Sequence, residues 1–415
     1  MPVKKLAGRL GAMTGLVMLI LISATALPAA DKNVEIRYLA QGKKVIPVIS
    51  QIGIWTIMDI KLPDLVVTNR GKGVIAIDRV EVTGKSDGTE SVRLHIPFQQ
   101  MKDAIKNAAA ALNKKTLPLP SLQIAYGNMV LPEGLLSETG AIEAGQSVLL
   151  PLSRIAYLHF VGHSRIDAMQ VKITVTAGKK KKGFSFPVQL TNYEARGKYV
   201  FPMKGDLRLA FLPLSYIHHR GASSQEFAFD VVAANQQDAA SFTEISRPNP
   251  KTLSDYAIWG REVMAIGDGI VVDIGNKFPE AKMSDPEKFG DPDYTKNLLK
   301  ELVGVIGWPN AVAGNYVTID HGNGEFSFYA HLKEGSLQVT PGDRVARGAV
   351  IGQVGNTGNS GAPHLHFQLM DSRDFFTANG LPLMFENLPA SAMLEGYPIK
   401  SNSLIFSDNL FYAIP

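Results

Sequence analysis

Nine histidines occur in this 415-residue chain, and six of them fall between positions 218 and 366. His218 and His219 are adjacent, His321 and His331 follow, and His364-Leu365-His366 closes the set. On a strand, residues i and i+2 point to one face about 6.5–7 Å apart. Two imidazoles so placed can share one cation, or one can bind it while the other works beside it. Asp230, in Phe227-Ala-Phe-Asp230, adds a hard oxygen ligand among Phe227, Phe229, Val231 and Val232. A carboxylate in such apolar company needs a positive partner. The chain has no cysteine, so thiolate metal sites, disulfides, a cysteine nucleophile and a lipid-anchor cysteine are excluded. Imidazole and carboxylate without sulfur suit zinc, which in catalytic sites has three protein ligands and one open position. His95, His159 and His163 lie apart and read as ordinary strand or loop residues.

The elements that must carry these residues read as short strands and glycine turns. Gly269–Asp273, Asn315–Asp320 and Phe326–Ala330 are strand-like, and Tyr294–Val303 reads as a short helix between the first two. Gly322-Asn-Gly324 is a turn signal that folds Val317–Asp320 against Phe326–Ala330, placing His331 at the far end of the hairpin. Pro341-Gly-Asp343 and Gly355–Gly361 are further turns, the second leading into the His364 strand. That glycine-rich loop lacks a following lysine and helix, which excludes a phosphate-binding loop. The front of the chain has a different texture. Asp64–Thr68, Gly73–Thr83 and Val171–Thr176 are β-branched, alternating runs, punctuated at Asn69–Gly71, Gly84–Gly88 and Gly178. They predict a β-sandwich of immunoglobulin-like texture, with an inserted helix at Met101–Asn113 and a lysine-rich hairpin loop at Lys179–Lys182. The expected fold class is therefore mainly β, with a compact antiparallel β domain behind the sandwich.

The composition, 45% hydrophobic and 19% charged, is that of a folded chain with room for two cores. Its net charge of +4 is unevenly spread: +3 on residues 1–30, +9 on 31–200 and −8 on 201–415. With the leader removed the balance is near neutral, so no general polyanion or nucleic-acid binding follows. Residues 1–30 have a basic start, an apolar core at Leu16–Ile22 and small residues at Ala24-Thr25-Ala26 and Pro28-Ala29-Ala30. This is the layout of a secretory signal peptide, with an uncleaved membrane anchor as the alternative, and nothing else approaches a membrane span. Three segments are expected: 1–30 as leader, 31–200 as accessory β-sandwich and 201–415 as the domain bearing the chemistry.

Tyr329-Ala-His331-Leu332, Val339–Gly348, Ile351-Gly-Gln-Val-Gly-Asn-Thr-Gly-Asn-Ser360, Pro363 and His364-Leu-His-Phe367 together resemble the lysostaphin-type, LytM-like zinc endopeptidases of bacterial cell walls. The resemblance spans roughly 205–385, and the order and spacing of its motifs both match. It implies a compact antiparallel β fold with a groove over a zinc ion held by an upstream histidine, an aspartate and the second histidine of the pair. Asp230 and His366 carry over directly. The usual upstream position, four residues before the aspartate, holds Glu226 here; variants with a longer gap match His219, with His218 as the alternate. His331 and His364 carry over as the catalytic pair. Peptidoglycan is the implied substrate, met in the periplasm, the cell envelope or outside the cell.

The implied chemistry is metal-assisted amide hydrolysis. Zinc supplies hydroxide at neutral pH, His364 acts as general base and then acid, and His331 hydrogen-bonds the oxyanion. Two other functions compete. An inactive relative of the same fold would bind and activate a wall amidase, but it would lack one or more of the histidines. A lipoyl or biotinyl carrier would need an exposed hairpin lysine, and no suitable one follows Val339–Gly355. For the basic front half, the opposite charge of the back half favours intramolecular docking that partly covers the groove, against holding of anionic wall polymers or a plain spacer role.

Overall fold

The computed structural model of the chain describes residues 33–398 except 53, 115–117, 156, 205–207, 211–218, 234–249, 281–291, 384, 387–392 and 395–396. Residues 1–30, expected to be a leader, and His218 lie outside the described residues. Among the described residues no helix is long and apolar enough to cross a membrane.

The front half supplies β1 (Val34–Tyr38), β2 (Val48–Ile52), β3 (Trp55–Lys61), β4 (Leu65–Asn69), β5 (Ile75–Ser86), β6 (Thr89–Pro97), β7 (Ala141–Ile142), β8 (Ser147–Leu150), β9 (Tyr157–Gly162), β10 (Ala168–Ala177) and β11 (Lys180–Val188). They form three antiparallel sheets, β1-β4-β8, β2-β3-β9 and β11-β10-β5-β6 with β7 alongside β5. One apolar core, including Ile60, Val67, Val80, Val171 and Ile173, is common to all three. The expected helix is present as α1 (Phe98–Asn113), which buries Met101, Ile105, Ala108, Ala109 and Leu112 on one face. A second helix, α2 (Leu119–Tyr126), follows it, and a single turn, α3 (Leu152–Ile155), leads into β9. Two local expectations are corrected. Gly84 is not a turn: it lies inside β5 at a register shift, and the turn falls at Asp87-Gly88, where both residues have positive φ. The lysine run is not a loop either, because Lys180–Lys182 already belong to β11 and only Gly178-Lys179 turn.

The back half contains β12 (Arg208–Ala210), β13 (Phe229–Val232), β14 (Glu262–Met264), β15 (Gly269–Gly275), α4 (Pro292–Ala313), β16 (Asn315–Asp320), β17 (Phe326–Leu332), β18 (Arg344–Val345), β19 (Val350–Gln353), β20 (Leu365–Met370) and β21 (Gly380–Leu381). Its main sheet runs β18-β15-β16-β17-β20-β13-β12, and a small β14-β19 pair closes one side. β20 lies inside the sheet, between β17 and β13, and is buried along its whole length. Phe367 lies between Phe229 on β13 and Tyr329 on β17, with ring centroids 5.1 and 5.2 Å away. Aromatic contacts of this kind add to area burial in fixing which strands neighbour which. The helix expected at Tyr294–Val303 is longer, running to Ala313 across a break at Gly307, whose φ of 81° precedes Pro309.

The segment joining the halves is anchored on one carboxylate. Glu325, beside the Gly322–Gly324 turn, accepts hydrogen bonds from Tyr193, from Tyr199 at 2.5 Å and from the backbone amides of Arg196 and Gly197. Further contacts cross between the halves. Ile46 packs in the core of the back half, Lys43 pairs with Glu226 at 2.8 Å, and Lys44 pairs with Asp371 at 2.7 Å.

Candidate metal centre

The register of three strands assembles the site. β13 pairs with β20 so that Asp230 lies opposite His366, and β20 pairs with β17 so that His366 lies opposite Ala330. Directly opposed residues share a face of the sheet. His331 therefore arrives one residue beyond that row, at the end of the hairpin as the turn signal predicts. His219 comes from a turn rather than a strand, and its Nε2 lies 3.0 Å from Asp230 Oδ2. His366 Nδ1 lies 3.1 Å from Asp230 Oδ1. Candidate ligand atoms of His219, Asp230 and His366 all fall within 4.8 Å of one another.

The wiring behind these atoms suits a cation. His366 directs Nε2 to Gln368 Oε1 at 2.9 Å, and His219 directs Nδ1 to Gln225 Oε1 at 3.4 Å. With the outer nitrogens protonated toward these carbonyl oxygens, the inner nitrogens donate to Asp230 when the rings are charged and offer lone pairs to a cation when the rings are neutral. Outer-nitrogen bonds to carbonyl oxygens are the usual way metal-bound histidines are oriented. Burial pushes the His366 imidazole toward its neutral form. Burial alone would raise the Asp230 carboxyl. The facing His219 and His364 rings, with hydrogen bonds from His219 and His366, overcome this and hold it well below the usual carboxylate range. The residues present thus fit zinc, with two nitrogens and one carboxylate converging and no sulfur.

Two further histidines stand beside this trio. The His364 ring contacts His331 with centroids 4.6 Å apart, and His364 Nε2 lies 3.7 Å from Asp230 Oδ1. His364 Nδ1 donates to the Ala362 carbonyl at 2.7 Å and also lies 3.1 Å from Ser360 Oγ. His331 Nδ1 donates to the Thr357 carbonyl at 2.7 Å. Burial, and then the rings of His364 and His366, hold His331 well below the ordinary histidine range, so it is neutral at pH 7. Each of these rings has its Nδ1 proton committed to a carbonyl, which leaves Nε2 as the working nitrogen.

His331 has φ +62°, in the left-handed region that costs a non-glycine residue on the order of 1–3 kcal/mol. The loop after β19 holds it there. Gly355 N donates to the His331 carbonyl at 3.0 Å, while Thr357 Oγ1 bonds the Leu332 carbonyl at 2.8 Å and the Asn315 amide at 2.9 Å. That loop can approach only because Gly358 has no side chain: a Cβ there would stand 2.3 Å from the Gly314 nitrogen. The glycines first legible as turns thus bring Thr357 against His331.

Of the six clustered histidines, His219, His331, His364 and His366 converge and His321 does not. His321 bonds the Asp268 carbonyl and Ser327 Oγ, both at 2.8 Å, and packs on Tyr199, which makes it a strut of the hairpin. Glu226 is likewise turned away from the trio, toward Lys43 and Arg220. Thr357 and Ser360 enter the sequence reading only as members of the Ile351–Ser360 motif, and Gln225 and Gln368 not at all. Gln368 has a signal nonetheless, because position i+2 from His366 on a strand shares its face.

Residues 302–378 match the model of Peptidase family M23. The chain carries an M23 domain of the LytM type. Within the M23 match lie His331, His364 and His366; outside it, Asp230 is brought in through the β13–β20 pairing and His219 on the turn that precedes β13. Among similar proteins, peptidoglycan DD-endopeptidase ShyA of Vibrio cholerae is 42% identical over 81 residues, 20% of this chain and 18% of ShyA. Glycyl-glycine endopeptidase ALE-1 of Staphylococcus capitis is 45% identical over 65 residues, 15% of this chain and 17% of ALE-1. The chain thus spans under a fifth of the length of these curated relatives. The solved structure of the antimicrobial peptidase lysostaphin from Staphylococcus simulans has 23% identity over 38% of this chain and 42% of that chain. Its TM-score is 0.22.

Proposed function

We propose that the chain is a zinc-dependent endopeptidase that hydrolyses amide bonds in the peptide stems or crosslinks of peptidoglycan after export. The observation that carries this reading is the convergence of His219, Asp230 and His366 with their outer nitrogens tied back, beside the pair His331 and His364. These three residues would hold the metal. Zinc bound there supplies a Lewis acid that acidifies water and polarises the scissile carbonyl. His364 accepts the proton of the attacking water at Nε2 and returns it to the leaving nitrogen as the carbon–nitrogen bond breaks. His331 serves the oxyanion through Nε2 only by taking up a second proton, because its Nδ1 proton is committed to Thr357; burial opposes that uptake, and the negative charge developing on the oxygen favours it. The endopeptidase names of ShyA and ALE-1 support the substrate class, and the leader pattern of residues 1–30 supports export to the periplasm, the cell envelope or the medium. The domain boundaries follow the same reading: a leader to residue 30, an accessory β domain to 200 and the peptidase domain to 415. The accessory domain docks on the peptidase domain, its +9 facing the partner's −8.

Digestion of purified peptidoglycans of several crosslink types, followed by mass analysis, tests the reading. New paired amino and carboxyl ends at a stem or bridge amide, lost on chelation, are the expected result. Intact crosslinks in the presence of zinc-loaded protein, together with faster cleavage by an added wall amidase, would replace it with the activator function.

A further inference from the structure

Asp230 and His366 are held by strand ladders, whereas His219 sits on the turn that precedes β13 and has no ladder of its own. The two residues bracketing this turn are charged and buried. Arg220, directly after His219, is 1% exposed, and Glu226, which the resemblance marks as a ligand position, is 3% exposed. They face each other across the turn at 3.7 Å. The third member comes from the front half: Lys43, 183 residues upstream of Glu226, donates to its Oε2 at 2.8 Å. The front half grips the same turn a second time, through the Ser223 amide on the Ile124 carbonyl at 3.0 Å. On its other side the turn is held by the catalytic sheet, through Gly380 N on the Ser223 carbonyl and Gln368 Nε2 on the Ser224 carbonyl. Gln368 is also the residue bonded by His366.

We propose that Lys43 and Glu226 are positioning residues for the metal ligand His219, so that the front half completes the metal centre instead of merely covering it. The inference rests on the proposed role of His219, Asp230 and His366 as zinc ligands. A buried Glu226 needs its cations, and they come from both halves; satisfying them closes the turn and sets His219 Nε2 at 3.0 Å from Asp230 Oδ2. Gln225, the residue before Glu226, accepts from His219 Nδ1, so any release of Glu226 also releases the bond that orients the ring.

The test is zinc affinity of the full chain by chelator competition, with the visible spectrum of the cobalt-substituted protein as a readout of ligand geometry. Lys43→Met and Glu226→Gln are each expected to weaken zinc at least 10-fold, in the range usual for residues behind a ligand, and to change the cobalt spectrum. Lys43→Arg is expected to restore affinity to within about threefold. Lys44→Ala breaks another pair between the halves, on Asp371, and should leave zinc affinity within about twofold. If Lys43→Met fails to fold by circular dichroism, the double variant Lys43→Met/Glu226→Gln, which buries no uncompensated carboxylate, is read in its place. Folded Lys43→Met with unchanged zinc affinity would overturn the inference, as would an equal loss in Lys44→Ala. Unchanged affinity with faster turnover would show that the contact restrains the site. Wild-type protein that takes up no zinc would remove the metal-site reading itself, a result distinct from all of these.

Discussion

Glu226 and Asp230 lie four residues apart on one segment, both are carboxylates, and they end in opposite surroundings. Asp230 stands on β13 across from His366 and faces imidazoles, groups that can be neutral and give lone pairs to a cation. Glu226 sits in the turn before that strand and faces Lys43, Lys61 and Arg220, groups that are cations already. Burial alone would raise both carboxyls, and in both the facing bases reverse it. The difference is in what remains to be bound. A carboxylate among ammonium and guanidinium groups already has its counter-charge, while one among imidazoles, which can lose their protons, offers a donor set that suits a metal cation. Residue type and burial are shared, so the partner's chemistry decides the role.

The largest expected effect breaks the Asp230 pocket. Asp230→Asn should reduce bound zinc and peptidoglycan hydrolysis by at least about 10³-fold, because the amide supplies no charge to balance the cation. Next comes His364→Ala, which should keep zinc and lose about 10²–10⁴-fold in kcat, since it removes a proton carrier and not a ligand. Loss of metal in that variant, with retention in His366→Ala, would reverse the two roles. In the Glu226 pocket the matching change is Glu226→Ala. It leaves buried cations without their carboxylate and should cost about 3–5 kcal/mol in urea unfolding, even with metal removed.

A subtler contrast is one of pH. Burial, the first cause, pushes Lys61 down from its ordinary range to about 8 despite the nearby Glu226. The charged form is therefore penalised in the folded protein, and the penalty is present in full below pH 8. It is relieved between pH 8 and about 10.5, the ordinary value of a lysine in an unfolded chain, so Lys61 makes stability rise with pH across that window. Urea unfolding of the Lys61→Met variant should show a flatter profile from pH 8 to 10 than wild type. An identical slope would mean that Lys61 is not the titrating group. The smallest effect is expected for Lys44→Ala, which removes a half-exposed pair and should cost under about 1 kcal/mol.

Much of the site is legible in the sequence because its elements are local. The β16–β17 hairpin, with Gly322 and Gly324 both at positive φ, and the His-x-His spacing are short-range patterns, and they located His331, His364 and His366. Asp230 was legible only through its apolar neighbours, since its pairing with His366 spans 136 residues. Gly84 was misread because a glycine inside a long strand looks like a turn until its neighbours on β6 and β10 are known. The Lys180–Lys182 run was misread because lysines on an exposed strand face carry no alternating apolar signal. Lys43 could not be found at all: it is one of many lysines in a basic segment, and only folding brings it to Glu226.

The central proposal is that the chain holds zinc through His219, Asp230 and His366. The most direct measurement is the metal content of the purified full chain and of its His366→Ala variant, by elemental mass spectrometry, alongside peptidoglycan hydrolysis by the same samples. One zinc per wild-type chain, none in the variant, and activity only where zinc is found would agree with the account. Wild-type hydrolysis that persists in metal-free protein, or full zinc in His366→Ala, would contradict it.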